Sequence, residues 1–228
     1  MSSKNFTAVL IHGAWADGSS WAKVVYQLQA KGHKVVTVPV PLTSYADDLA
    51  AVERTLERVA GPVVLAGHAY GGALIGGTRS EQVKALVYVA GIAPDEGETI
   101  AQAAYRDAPH PKAPKLAPDA HGLIWLPEAA FAEAFAHQAA PTEQALLAAL
   151  QRPISPACIS VPVGRPRWKD LPSWYLVAEE DRLIPRQTQA FMAARMGARA
   201  SAHPVDHTPS VSAPELVTEL ILRAGGAL

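Results

Sequence analysis

Along the first 93 residues, short apolar runs rich in valine alternate with longer stretches whose apolar positions recur at helical spacing. Residues 6–11 (FTAVLI), 34–38 (KVVTV), 62–66 (PVVLA) and 84–90 (KALVYVA) are short and β-branched, which suits strands. Between them, residues 19–31 set Trp21, Val24, Val25 and Leu28 on one helical face, and residues 45–59 set out Leu49, Val52, Leu56 and Val59. Residues 69–79 read as a helix of small residues. Strand and helix in alternation, joined by short links, predict an α/β architecture with a doubly wound, mostly parallel sheet. Unbroken apolar strands fit a sheet covered on both faces.

The alternation stops after Ala93. Prolines crowd residues 94–172, from Pro109 to Pro166, and no run there reads as a sheet strand. Two helices are predicted inside it, at 128–138 and 142–150. The pattern then resumes with a strand at 173–178, a helix at 186–196, a strand at 200–205 and a helix at 214–223. The expected division is therefore a core of residues 1–93 and 173–228, interrupted by a small helical cap at 94–172.

Composition narrows the partners. The 228 residues suit one domain with a sizeable core, and 49% hydrophobic against 18% charged residues is a globular balance. A net charge of −1 without a Lys/Arg cluster speaks against a nucleic-acid or membrane-surface partner. A small molecule is the expected partner, and a homodimer is compatible with the sequence. Cys158 is the only cysteine, so no intrachain disulfide forms and a cytoplasmic setting is the expectation. The opening MSSKN leads into the first strand without a leader pattern, and no apolar run approaches the ~18–20 residues of a membrane span.

The candidate chemistry starts at GHAYGG, residues 67–72, between a strand and a helix. That is the setting of a G-x-S-x-G turn, which lifts a nucleophile to the carboxyl edge of a sheet. Here Ala69 holds the nucleophile position. The order nucleophile, acid, histidine then points to Asp181 in EEDRLIP and His207 in VDHTPS, each just past a strand on the same edge. Glu179 and Glu180 compete for the acid's place. An acid there would orient the imidazole, which would move the nucleophile's proton. In HGAW (residues 12–15), the N–H of Ala14 would face a developing oxyanion, with the N–H of Tyr70 as the second donor.

These stretches carry a resemblance. HGAWADGSSW, GHAYGG, EEDRLIP and DHTPSVSAPEL, in that order, make the chain resemble the α/β-hydrolases, and among them the small ester hydrolases of the plant methylesterase and hydroxynitrile lyase group. The resemblance spans nearly the whole chain and is weakest in 94–172. It implies serine-type acyl-enzyme chemistry on a small, largely apolar ester or lactone, without a cofactor. Ala69 is the departure from the pattern.

Alanine at that place keeps the Cβ and deletes only an oxygen. Drift would find relief in glycine, which tolerates a strained turn cheaply. The expectation is thus an ester hydrolase present as an inactive Ser-to-Ala form at position 69. The alternatives are a natural pseudoenzyme that binds a small ligand, or a lyase or cofactor-free oxygenase in which His207 and Asp181 do proton chemistry. Pocket candidates are His12 and Trp15 in the first loop and Trp125, Phe131 and Phe135 in the cap, although the cap aromatics could equally pack cap on core. His68 is read as support for the turn and Cys158 as an inert filler. No pair of histidines has metal-ligand spacing with carboxylates, so no metal is expected.

Overall fold

Six strands lie side by side in the order β2-β1-β3-β4-β5-β6, and every pairing is parallel. They are β1 (Thr7–Ile11), β2 (Lys34–Val38), β3 (Val63–His68), β4 (Val83–Val89), β5 (Ser173–Ala178) and β6 (Arg199–His203). The computed structural model describes residues 6–228, so the expected lack of a leader in the first five residues lies outside the described residues. Parallel neighbours require a crossover, and the helices supply it. They are α1 (Ala22–Ala30), α2 (Tyr45–Leu56), α3 (Tyr70–Gly77), α4 (Ile100–Ala104), α5 (Glu128–Ala130), α6 (Pro141–Leu150), α7 (Arg186–Arg195), α8 (Pro209–Ser212) and α9 (Pro214–Gly226).

Alternate residues of one strand feed two cores. Ala8, Leu10, Val64 and Ala66 face α1 and α9, where Trp21, Val24, Leu28, Val217 and Ile221 close over them. Val9, Ile11, Val63 and Leu65 face the other way, against Val52, Leu56, Leu74, Ile75 and Met192 of α2, α3 and α7. Burying each such side chain stabilises by roughly 1.5–3 kcal/mol. β1, β3 and β5 are buried along their whole length, as their apolar runs require, while the edge strands β2 and β6 stay partly exposed.

The structure departs from the pattern in particular places. The helix expected from residue 19 begins as a 3-10 turn, Gly18–Trp21, because the Asp17 side chain accepts the Ser19 N–H at 2.9 Å. The buried stripe of α2 is Asp48, Ala51, Val52 and Leu56, which puts an acid where the apolar spacing suggested Leu49. The helix expected at 128–138 gives way at Phe131 to a π turn, Phe131–Phe135, ended by Ala136 N–H on the Phe131 carbonyl. Five-residue α4 escaped periodicity, yet Thr99 and Gln102 cap it reciprocally.

Residues 94–172 contain no sheet strand, and they are fastened to the rest of the chain at several points. Trp15 Nε1 donates to the Ile124 carbonyl (3.0 Å), Ser155 N–H to the Leu42 carbonyl (3.0 Å) and Gln138 N–H to Asp206 Oδ2 (2.9 Å). Arg182 donates to the Glu133 carbonyl, and Arg195 bridges Glu98 with 2.8 and 2.9 Å contacts. Among the described residues no helix is long and apolar enough to cross a membrane.

Candidate active site

The loops that leave β1, β3, β5 and β6 at their carboxyl ends bring Ala14, Ala69, Asp181 and His207 to one edge, where open α/β sheets bind ligands. Ala69 has φ 47° and ψ −116°, a conformation that costs an alanine of order 1–3 kcal/mol. Its neighbours enforce it. The Ala69 N–H donates to the Val89 carbonyl, and its own carbonyl accepts from Gly72 (3.0 Å) and Ile92 (2.8 Å). The flanking glycines are required by close approach: a Cβ on Gly67 would lie 2.4 Å from the Gly71 carbonyl oxygen, and one on Gly71 2.6 Å from that of Ile11. Ala69→Gly is expected to stabilise the fold by about 1 kcal/mol, read as a raised urea midpoint, because relief of the strain outweighs the greater freedom glycine gives the unfolded chain. A lower midpoint would count against strain at this turn.

Asp181 stands in the turn after β5 with its carboxylate fully engaged. Oδ1 accepts the N–H groups of Leu183 (2.7 Å) and Ile184 (2.9 Å), and Oδ2 accepts Gln189 Nε2 (2.8 Å) and His207 Nδ1 (2.7 Å). The Asp181–His207 pair is almost wholly buried. A carboxylate can only accept, so Nδ1 of His207 carries the hydrogen and a neutral ring leaves its Nε2 lone pair towards the cavity that His207 lines. Glu179 instead pairs with Arg186, and Glu180 accepts from Gln138, so neither rival reaches the imidazole. Gln189, unremarked in the sequence, locks the acid while its Oε1 takes the Ala178 N–H (2.9 Å).

His68, read as support for the turn, reaches from it to the histidine loop. Its Nε2 donates to the His207 carbonyl at 2.7 Å, and the two rings lie 4.8 Å apart. Burial, reinforced by the neighbouring His207, pushes the His68 imidazole down to about 3, so the ring stays neutral. Asp206 fixes the same loop through the Thr208 N–H and the Ser212 hydroxyl.

In front of Ala69 opens a cavity of about 530 Å³. Ala14, Trp15, Tyr70 and His207 border it near the turn; Ile100, Ile124, Ile154 and Ile159 form its body. Asp107 is its single carboxylate, engaged by Thr188 Oγ1 and Arg106 at 2.8 Å each. The amides of Ala14 and Tyr70 donate to no backbone carbonyl among the described residues.

Of the expected pocket residues, Trp15 lines this cavity and four do not. His12 is buried with Nδ1 on the Gly13 carbonyl, and Trp125 points outward, 46% exposed, with its indole on Asp119. Phe131 and Phe135 are buried in a separate apolar cluster with Leu126 and Val211. The π turn directs both inward, where Phe135 packs 5.4 Å from the His207 ring rather than against a ligand. Among the described residues no three His, Cys, Asp or Glu side chains converge as a metal-binding set.

Sheet, turn and loop order define a class, and residues 8–220 match the model of the Alpha/beta hydrolase family; the chain belongs to it. It is similar to a carbendazim-hydrolysing esterase from Nocardioides sp. (strain SG-4G), 30% identical over a stretch that takes in 40% of this chain. That stretch spans 44% of the relative's length. Among solved structures it resembles polyneuridine aldehyde esterase (TM-score 0.82, 19% identical, 96% of this chain and 98% of that one). It likewise resembles a methylesterase from Arabidopsis (TM-score 0.80, 17% identical, 98% and 100% covered).

Proposed function

We propose that this chain is a carboxyl-ester hydrolase of the Ser-His-Asp kind, acting on a small, largely apolar ester or lactone, and standing here in an inactive Ser-to-Ala form at position 69. The observation that carries the reading is the buried Asp181–His207 pair beside a strained turn that still bears a Cβ. With serine at 69, Oγ would attack the ester carbonyl carbon while its proton passes to His207 Nε2. The N–H groups of Ala14 and Tyr70 would receive the oxyanion, and collapse of the tetrahedral intermediate would expel the alcohol with the proton from His207. Water, deprotonated by the same ring, would then release the acid. No cofactor enters these steps.

The cavity supports that substrate class: its walls are largely apolar and Oδ2 of its one carboxylate among the described residues, Asp107, is already engaged, so an uncharged body is accommodated and an ionised one is disfavoured. Residues 94–172 act in this reading as the cap that supplies those walls. Cytoplasmic location belongs to the same reading, supported by the single free, buried thiol of Cys158. The test is hydrolysis of short p-nitrophenyl esters by Ala69→Ser beside the unmodified protein.

Ala69 itself favours a second reading, a natural pseudoenzyme that holds an apolar ligand in the same cavity. Under it, p-nitrophenyl esters bind to both proteins and neither turns them over.

A further inference from the structure

Asp48 lies on the buried face of α2 with no exposure to solvent. No cation faces it among the groups that set its ionisation. Burial raises its carboxyl above the usual carboxylate range, opposed by the hydrogen bonds it accepts. An unbridged buried acid is a poor stability device, and a leucine there would bury more apolar surface. What Asp48 offers instead is an anchor for donors from separate segments.

Three donors converge on it. The Leu42 N–H reaches Oδ1 at 2.7 Å, from the link after β2. The Tyr70 hydroxyl reaches Oδ2 at 2.7 Å, from the first residue of α3, and the Cys158 thiol reaches the same oxygen at 3.4 Å. Burial, then the Asp48 charge, pushes the thiol up to about 12 and raises the Tyr70 phenol as well, so both keep their hydrogens. Leu42 is held at φ 62°, uncommon for a side chain of its size, and its carbonyl accepts the N–H of Ser155, the residue that caps the 3-10 turn Pro156–Cys158. Tyr70 follows position 69 directly, and its backbone N–H is the donor expected at the oxyanion.

We infer that Asp48 is a positioning residue: it fixes Tyr70, and with it the oxyanion donor, and makes that placement depend on the seating of residues 154–158 against the core. The inference rests on the ester-hydrolase reading for the role of the Tyr70 N–H. Small displacements of such a donor are costly, because it acts only where the oxyanion forms. Cys158 then gains a purpose beyond filling space, as the contact by which the 94–172 segment reaches this acid.

Asp48→Asn keeps the shape but replaces one acceptor with an amide facing existing donors. In the Ala69→Ser protein it is expected to lower kcat about 10-fold while KM holds. Cys158→Ala is expected to lose part of the same kcat, and Cys158→Ser, which retains a donor, to recover it. In the unmodified protein Asp48→Asn should displace the backbone ¹H–¹⁵N resonance of Tyr70. An unchanged kcat with an unmoved Tyr70 resonance overturns the inference, and so does a fall in kcat that comes with a higher KM and a lower unfolding temperature. If Ala69→Ser proves inactive, the ester-hydrolase reading fails by itself. The Tyr70 resonance then decides the positioning alone: displaced, it stands; unmoved, it falls.

Discussion

Serine at position 69 is expected to raise the hydrolysis of p-nitrophenyl butyrate by on the order of 10³-fold or more over the unmodified protein. That gain corresponds to about 4 kcal/mol of barrier or more. Such an effect is available because little has to be built. The turn already holds φ 47°, His207 is already oriented by Asp181 at 2.7 Å, and Ala14 and Tyr70 already border the cavity. A new hydroxyl therefore meets a prearranged base, and the entropy of assembling the pair is not paid again at each turnover. Asp181→Asn in the Ala69→Ser protein is expected to remove most of the gain, since an amide can present an N–H to Nδ1 and favour the wrong tautomer. Equal rates with and without serine, across esters of several acyl lengths, would sink the hydrolase reading in favour of the ligand-binding one.

Acid should unfold the protein through its buried histidines, and His68 is expected to contribute most. Its imidazole is held down to about 3 by burial, then by His207, against 6.5 when free. Below about pH 6.5 the unfolded chain takes up a proton that the folded one refuses, so stability falls as the pH drops towards 3. Above that range His68 adds no pH dependence. Over the whole interval the loss is about 5 kcal/mol, and about 3 kcal/mol by pH 4.5, a large part of a typical domain's stability. His12 adds in the same direction, its ring lowered by burial above all. Urea midpoints between pH 7 and 4.5 measure the slope. His68→Gln retains a donor for the His207 carbonyl without the titration and should flatten it; an unaltered slope would assign the acid sensitivity elsewhere.

How much of this was legible in the sequence varied with the physics involved. Ser173–Ala178 stood out because buried parallel strands need apolar runs, and its ends, like those of the partly exposed edge strand Lys34–Val38, coincide with those expected. The turn at 67–72 was visible because its glycines answer to backbone collisions that no other residue survives. Asp181 and His207 were legible as residues just past strands, and the sheet brings them together. Phe131 and Phe135 were not, because an aromatic side chain reads the same whether it packs against a ligand or against Leu126 and Val211. Asp48 was obscured for a related reason: helical periodicity seeks apolar positions, so an acid inside the buried stripe shifts the inferred face by one residue. Its only signal was a charge at a spacing that Val52 and Leu56 mark as internal.

The fastenings of residues 94–172 bear on traffic into and out of the cavity. Contacts at Ile124, Glu133, Gln138, Ser155 and Glu98 are spread along the segment. A rigid swing of the whole segment would break all of them together. Local parting of the irregular stretch around Pro109, Ala113, Pro114 and Leu116, which lines the cavity outside any helix, would break none of them.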